Sequence, residues 1–192
     1  MKIIRGNIFY PHTYYPKTFT TPDAICISTN GYTRADGQNV MGRGLAAQAA
    51  KLFPKLPKLL GSAIQKAGNN VHCFDLCRAD FPFNLLAFPV KPAKDAFNGQ
   101  NIVAHMAGRY LVGENIPGWA CKAQLSIIKR SCKQLLTLVE GKKWETIVIP
   151  RVGCGAGELT WPTVRPILDK LLDDRFYCIT AALSCSDAEV KR

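Results

Sequence analysis

The chain has 192 residues, 47% hydrophobic and 20% charged, which suits one packed domain and excludes disordered, collagen-like and low-complexity classes. Lys and Arg number 25 against 14 Asp and Glu, a net +11; this favours phosphate-bearing partners, nucleic acid among them, although the bases are spread along the chain and suit a solvated basic surface as well. No run approaches the ~18 apolar residues of a membrane span, and Met1-Lys2-Ile3-Ile4-Arg5-Gly6 lacks a signal peptide's apolar stretch, so no membrane contact and a cytoplasmic location are expected.

The spacing predicts a first strand over residues 2–9. Beyond it Phe9, Tyr10, Tyr14 and Tyr15 interleave with His12 and Lys17. Such rings can stack on bases, but near a strand end they more often close a core, which is the reading preferred here. Further strands are predicted over residues 24–28, 71–75 and 85–88, each short and rich in β-branched or aromatic residues. His72, Cys73 and Cys77 cluster, yet no second pair at finger-like spacing completes a tetrahedral zinc site, so no metal and no cofactor are expected. Several of the 8 cysteines lie in apolar runs and read as buried free thiols. Ile102, Met106 and Tyr110 have helical spacing, with His105 and Arg109 beside them, and suggest a small lid helix in which His105 has no catalytic assignment. Leu125, Ile128, Cys132, Leu135 and Val139 step by three and four and predict a one-sided helix over 122–139. A strand follows over 146–149. Val164, Ile167, Leu168, Leu171 and Leu172 mark another helix, with Thr163 as N-cap and Pro166 in the first turn. A last strand is predicted over 177–181. Strands alternating with helices make the class α/β.

Two glycine-rich segments stand at strand-to-helix junctions. After the 24–28 strand come Thr29-Asn30-Gly31 and then Val40-Met41-Gly42-Arg43-Gly44-Leu45-Ala46-Ala47. Without Cβ atoms at Gly42 and Gly44 a backbone can approach an anion, and the helix N-terminus then faces it with free N–H groups. The G-x-G-x-x-A spacing is present, but a Rossmann fingerprint requires the glycines directly after the strand. After the 146–149 strand comes Pro150-Arg151-Val152-Gly153-Cys154-Gly155-Ala156-Gly157-Glu158-Leu159. The carboxyl-end loops of an open α/β sheet form its crevice, so the two segments together suit the two phosphates of one ligand. The same glycines would also serve tight turns and close helix packing.

Arg5-Gly6-Asn7-Ile8-Phe9, Asn30 with Val40-Met41-Gly42-Arg43-Gly44-Leu45-Ala46, and Ile149-Pro150-Arg151-Val152-Gly153-Cys154-Gly155 through Leu159-Thr160-Trp161 resemble the macrodomains, which bind ADP-ribose and its derivatives. The I-P-R-x-G-C-G segment with its later Leu and Trp is similar to the branch holding the terminal ADP-ribose protein glycohydrolase and the DNA ADP-ribosyl glycohydrolase antitoxin. The resemblance implies a three-layer α/β/α macrodomain with a central mixed sheet, residues 1–192 being one domain with an insertion at about 95–120. It implies an ADP-ribose site made by Asn7, Ile8, Asn30, Gly42, Arg43, Gly44 and Leu45 on one side. Gly153, Cys154, Gly155, Ala156, Gly157 and Glu158 are implied on the other.

In that branch a lysine after a short apolar strand serves catalysis, and Phe88-Pro89-Val90-Lys91-Pro92 resembles its setting, so Lys91 and Asn30 are the catalytic candidates. Protein-directed members carry an aspartate where this chain has Gly157, a departure toward the DNA-directed members; a Trp-Arg pair expected shortly after the lysine is absent. Cleaving the glycosidic bond at the distal ribose builds oxocarbenium character, and a lysine partly desolvated among Phe88, Pro89 and Pro92 would have a lowered pKa and could attack or relay a proton. The Asn30 amide can meet ribose hydroxyls through both its ends. The expectation is a monomeric ADP-ribosyl hydrolase acting on an ADP-ribosylated macromolecule, DNA or protein. An ADP-ribose 1''-phosphate phosphatase and a non-catalytic ADP-ribose reader are the alternatives.

Overall fold

The computed structural model describes residues 1–17, 19, 21–76 and 79–180. Strands β1 (Lys2–Asn7), β2 (Tyr10–Tyr15), β3 (Ala24–Asn30), β4 (His72–Phe74), β5 (Asn84–Lys91), β8 (Ile147–Pro150) and β9 (Phe176–Thr180) form one sheet in the order β2-β1-β9-β8-β3-β5-β4. The five inner strands run parallel and the two edges antiparallel, so the sheet is mixed. The inner strands read as continuous apolar runs (Ile-Val-Ile-Pro in β8, Phe-Tyr-Cys-Ile-Thr in β9) because both faces are covered.

The side-chain period of two sorts these strands between the layers. Ile25 and Ile27 of β3 and Leu85 and Ala87 of β5 pack with Ala46 and Ala49 of α1 (Gly44–Leu52) and Leu56 and Leu60 of α2 (Leu56–Ala67). Ala24, Cys26, Leu86 and Phe88 face the other way. They meet Ile128, Cys132, Leu135 and Val139 of α3 (Leu125–Lys142), and Val164 and Leu168 of α4 (Trp161–Leu171). The result is the expected three-layer α/β/α sandwich around a mixed sheet.

Between β5 and α3 the chain makes a small hairpin, β6 (Lys94–Ala96) with β7 (Asn115–Pro117), and a single 3-10 turn, Ala104–Met106. Ile102, Val103, Met106, Ile116, Ala120 and Cys121 give this insertion a cluster of its own. Gln124, the N-cap residue of α3, anchors it at the base by donating from Nε2 to Asp95 Oδ2 at 2.8 Å.

Several elements differ from the sequence reading. The strand ending in Lys91 runs three residues past the expected 85–88, so the lysine closes the strand instead of following it. α4 begins at Trp161 with Thr160 as its N-cap in place of Thr163, and Pro166 lies inside the helix. Pro162 already fills the first-turn position, and Pro166 lies on the exposed side of the helix. Phe9 and Tyr14 are buried as expected, whereas Tyr10 and Tyr15 are exposed on edge strand β2. The lid helix is only the 3-10 turn. Of the clustered His72, Cys73 and Cys77, the last lies outside the described residues, as do Cys185 and the end of the 177–181 strand; no metal-holding group occurs among the described residues.

Candidate functional site

The parallel strands end at one edge of the sandwich, and the loops leaving β3 (residues 31–43) and β8 (residues 151–160) stand on either side of a cavity of about 470 Å³. Asn30 and Lys91 are register partners at the ends of β3 and β5, so neighbouring strands place both at its floor. Gly42, Arg43, Gly44 and Leu45 line one wall; Gly153, Gly155, Ala156 and Gly157 line the other. An adjoining cavity of about 830 Å³ shares Leu45, Gly155 and Arg151 with the first and is lined further out by Asn7, Ile8 and Cys154. One groove thus runs from Asn7 across the two glycine-bearing loops to Lys91. Glu158 lines neither part. It stands at φ 59° and its Oε1 accepts the Ala104 N–H at 2.8 Å, tying the loop to the insertion.

Lys91 is 7% exposed. Its Nζ donates to the Trp119 carbonyl at 3.2 Å, and the Asn69 side chain holds its own carbonyl at 2.9 Å. Burial lowers the amine from the usual lysine value to about 8; Arg43 adds to the lowering, while Cys121 and Glu158 oppose it. The shift has a stability consequence. With the folded pKa below that of the unfolded chain, the charged form is the one the fold disfavours, so below about 8 burial of the ammonium costs stability that is relieved as pH rises toward the unfolded value. Lys91→Met, of similar volume and without charge, is expected to raise stability at pH 7 by about 1 kcal/mol and the thermal midpoint by about 2–4 °C. A lower midpoint in a calorimetric scan would show that the amine is a net stabiliser.

Asn30 is buried, and its amide is largely occupied: Nδ2 donates to the Val40 carbonyl at 2.7 Å and Oδ1 accepts the Tyr32 N–H at 2.9 Å. Asn39 donates to the Asn30 backbone carbonyl at 2.8 Å. Two ends free for a ribose, as the sequence suggested, are therefore not what the fold presents. Asn39 Nδ2 also donates to Oδ1 at 3.5 Å, so one N–H remains and the larger part of the amide holds the 31–43 loop in shape. Asn7 is similar: its Oδ1 accepts the Phe9 N–H at 3.0 Å within the turn to β2.

The glycines divide by what surrounds them. A Cβ at Gly42, Gly44 or Gly155 would meet nothing within 4 Å, so these residues leave open volume along the groove. Gly44 also has φ +59°, a conformation that costs other residues about 1 kcal/mol or more. At Gly157 a Cβ would lie 2.5 Å from the Gly153 carbonyl oxygen and 2.7 Å from the Ala123 Cβ. No aspartate fits there, because the loop packs on the segment that leads into α3, where the Ala123 N–H reaches the Gly157 carbonyl at 2.9 Å.

Residues outside the expected site also line the groove. Trp119 and His105 come from the insertion, where no motif marks them. Gln48 projects from α1, and Arg151 stands over the Trp161 ring, 5.2 Å from its centre; Arg151 lay within the quoted I-P-R segment and could have been read as part of the site. Burial raises the Cys154 thiol to about 11, which disfavours its thiolate form at neutral pH.

No protein-family model matches the chain, and no curated protein matches it by sequence. Solved structures do. The macrodomain of Mycobacterium tuberculosis DarG is 17% identical over 92% of this chain and 96% of that one, with a TM-score of 0.61. The macrodomain of Thermus aquaticus DarG is 19% identical over 93% and 95%, also at 0.61. DarTG of Thermosipho africanus, solved in complex with ADP-ribose, is 17% identical over 95% of this chain and 42% of that chain, at 0.64. The fold of this chain is the macrodomain fold.

Proposed function

We propose that the protein binds ADP-ribose along this groove and hydrolyses it from a macromolecule, with Lys91 as the catalytic amine. The observation that carries this reading is the placement of a buried lysine at the closed end of a cavity walled by two glycine-bearing loops. The adenine end of the ligand lies toward Asn7 and Ile8. The diphosphate lies between the 42–45 and 153–157 segments, whose backbones can come close and present N–H groups. The distal ribose then reaches Asn30 and Lys91. The ADP-ribose held by Thermosipho DarTG, a protein of the same fold, supports this choice of ligand.

Breaking the bond at the distal ribose carbon needs an oriented water or nucleophile and a group to handle its proton. An amine brought down to about 8 is neutral in a useful fraction near neutrality, whereas a solvated lysine is not. Gly157 leaves no carboxylate at the place where protein-directed relatives keep one, so acid–base work falls to Lys91. That, with the net charge of +11, favours ADP-ribosylated DNA as substrate. No helix among the described residues is long and apolar enough to cross a membrane.

The test is to assay the purified protein side by side on ADP-ribosylated DNA, ADP-ribosylated protein and ADP-ribose 1''-phosphate. Cleavage of the DNA substrate, weakening steeply as salt rises because phosphate contacts release counterions, is the expected result. Turnover of the phosphate ester alone would make the protein a phosphatase; binding of ADP-ribose with no turnover of any substrate would make it a reader.

A further inference from the structure

The insertion places one more functional side chain beside Lys91. His105 lines the same cavity as Lys91 and Trp119, and the turn that carries it is held by both walls of the site. Ala104 donates its N–H to Glu158 Oε1 at 2.8 Å, from the loop after β8. Arg43, from the loop after β3, meets His105 Nδ1 through Nη1 at 3.2 Å. Beneath the turn Val103 and Met106 are buried in the insertion's own cluster, and the Val103 N–H reaches the Ala120 carbonyl at 2.9 Å. Ala120 is the neighbour of Trp119, whose carbonyl holds the Lys91 amine at 3.2 Å. One stretch of backbone therefore fixes His105 and Lys91 relative to each other.

Arginine has only donors, so His105 Nδ1 must accept and the ring proton must sit on Nε2. We propose that His105 is a second catalytic residue of the hydrolase reading above: its Nε2–H donates a hydrogen bond to an oxygen of the departing group as the bond to the distal ribose breaks, and Arg43 is the positioning residue that fixes its tautomer. Partial desolvation and then Arg43 hold the imidazole below its ordinary pKa, against the pull of Glu158, and so favour its neutral form. A neutral imidazole can steady a developing oxyanion by a hydrogen bond without giving up its proton. The step balances. The bond from the ribose carbon to the acceptor breaks with its electron pair going to the acceptor, and water's oxygen forms the new bond to that carbon. Lys91 Nζ takes the water's proton and passes it to the departing anion, while His105 keeps its own.

The test compares wild type, His105→Ala and His105→Gln on ADP-ribosylated DNA and on ADP-ribosides of phenol and 4-nitrophenol, with ADP-ribose affinity measured by calorimetry. His105→Ala is expected to lower kcat by about 100- to 1,000-fold on DNA and phenol substrates, the scale for losing one oxyanion donor. The loss should be smaller on the 4-nitrophenol riboside, whose anion needs less help. KM and ADP-ribose affinity should stay within about twofold, and His105→Gln, which keeps a side-chain N–H, should recover part of the rate. An unchanged kcat in His105→Ala, or a loss confined to KM and affinity, overturns the role of His105 and leaves the hydrolase reading standing. A wild-type protein that cleaves none of these substrates overturns the hydrolase reading and the role with it.

Discussion

Lys91→Ala is expected to lower turnover of the ADP-ribosylated macromolecule by about two orders of magnitude or more, with little change in ADP-ribose affinity. The amine is 7% exposed, has no carboxylate hydrogen-bond partner among the described residues, and is held by the carbonyl of Trp119. A buried lysine so placed is poorly suited to grip phosphate as a permanent cation and well suited to titrate near neutrality. Wild-type activity should therefore rise with pH and level off above about 8, since the neutral amine is the competent form and its fraction grows as pH passes the pKa. Lys91→Arg should be as inactive as Lys91→Ala, because a guanidinium keeps its proton throughout that range. A fully active arginine variant would mean that the site needs only positive charge. Near-wild-type turnover in Lys91→Ala would remove the lysine from catalysis.

Gly155→Val is expected to weaken ADP-ribose binding by about 100-fold or more and to leave the fold intact. Gly155 lines both parts of the groove, and a Cβ there meets no atom within 4 Å, so the new side chain has room in the empty protein and occupies volume the ligand needs. Its φ lies outside the left-handed region, so the substitution brings no backbone strain. Circular dichroism and the thermal midpoint should match wild type, with the loss appearing only in a titration with ADP-ribose. Gly157→Val makes the contrast: the Gly153 carbonyl and Ala123 block its Cβ, and the same measurements should show a destabilised protein. If Gly155→Val binds as tightly as wild type, the glycine serves a turn and the diphosphate lies elsewhere.

The sheet was legible because its inner strands are buried on both faces and so appear as unbroken apolar runs; β3, β5, β8 and β9 were all anticipated within a few residues. α3 was legible because its apolar positions step by three and four. α2 escaped notice: Pro57, Lys55 and Lys58 obscure its start, and only Leu56, Leu60 and Gly61 of its residues are buried. β2 is an edge strand whose outward face is polar and aromatic, a pattern that period-two reading does not separate from a loop. At the site, the glycine loops and Lys91 were visible as motifs. Trp119 was not, and His105 was marked only beside a suggested lid helix, because the insertion's place depends on long-range contacts to Arg43, Glu158 and Asp95. At Asn30 the side chain alone suggests a free amide, and the fold uses most of it to hold a loop.

The central claim is that the groove from Asn7 to Lys91 is an ADP-ribose site, and a calorimetric titration of the purified protein with free ADP-ribose tests it most directly. The account predicts saturable binding of one ADP-ribose per chain at micromolar to millimolar affinity, lost in Gly155→Val and kept in Lys91→Ala. No heat and no thermal stabilisation at millimolar ADP-ribose would contradict it.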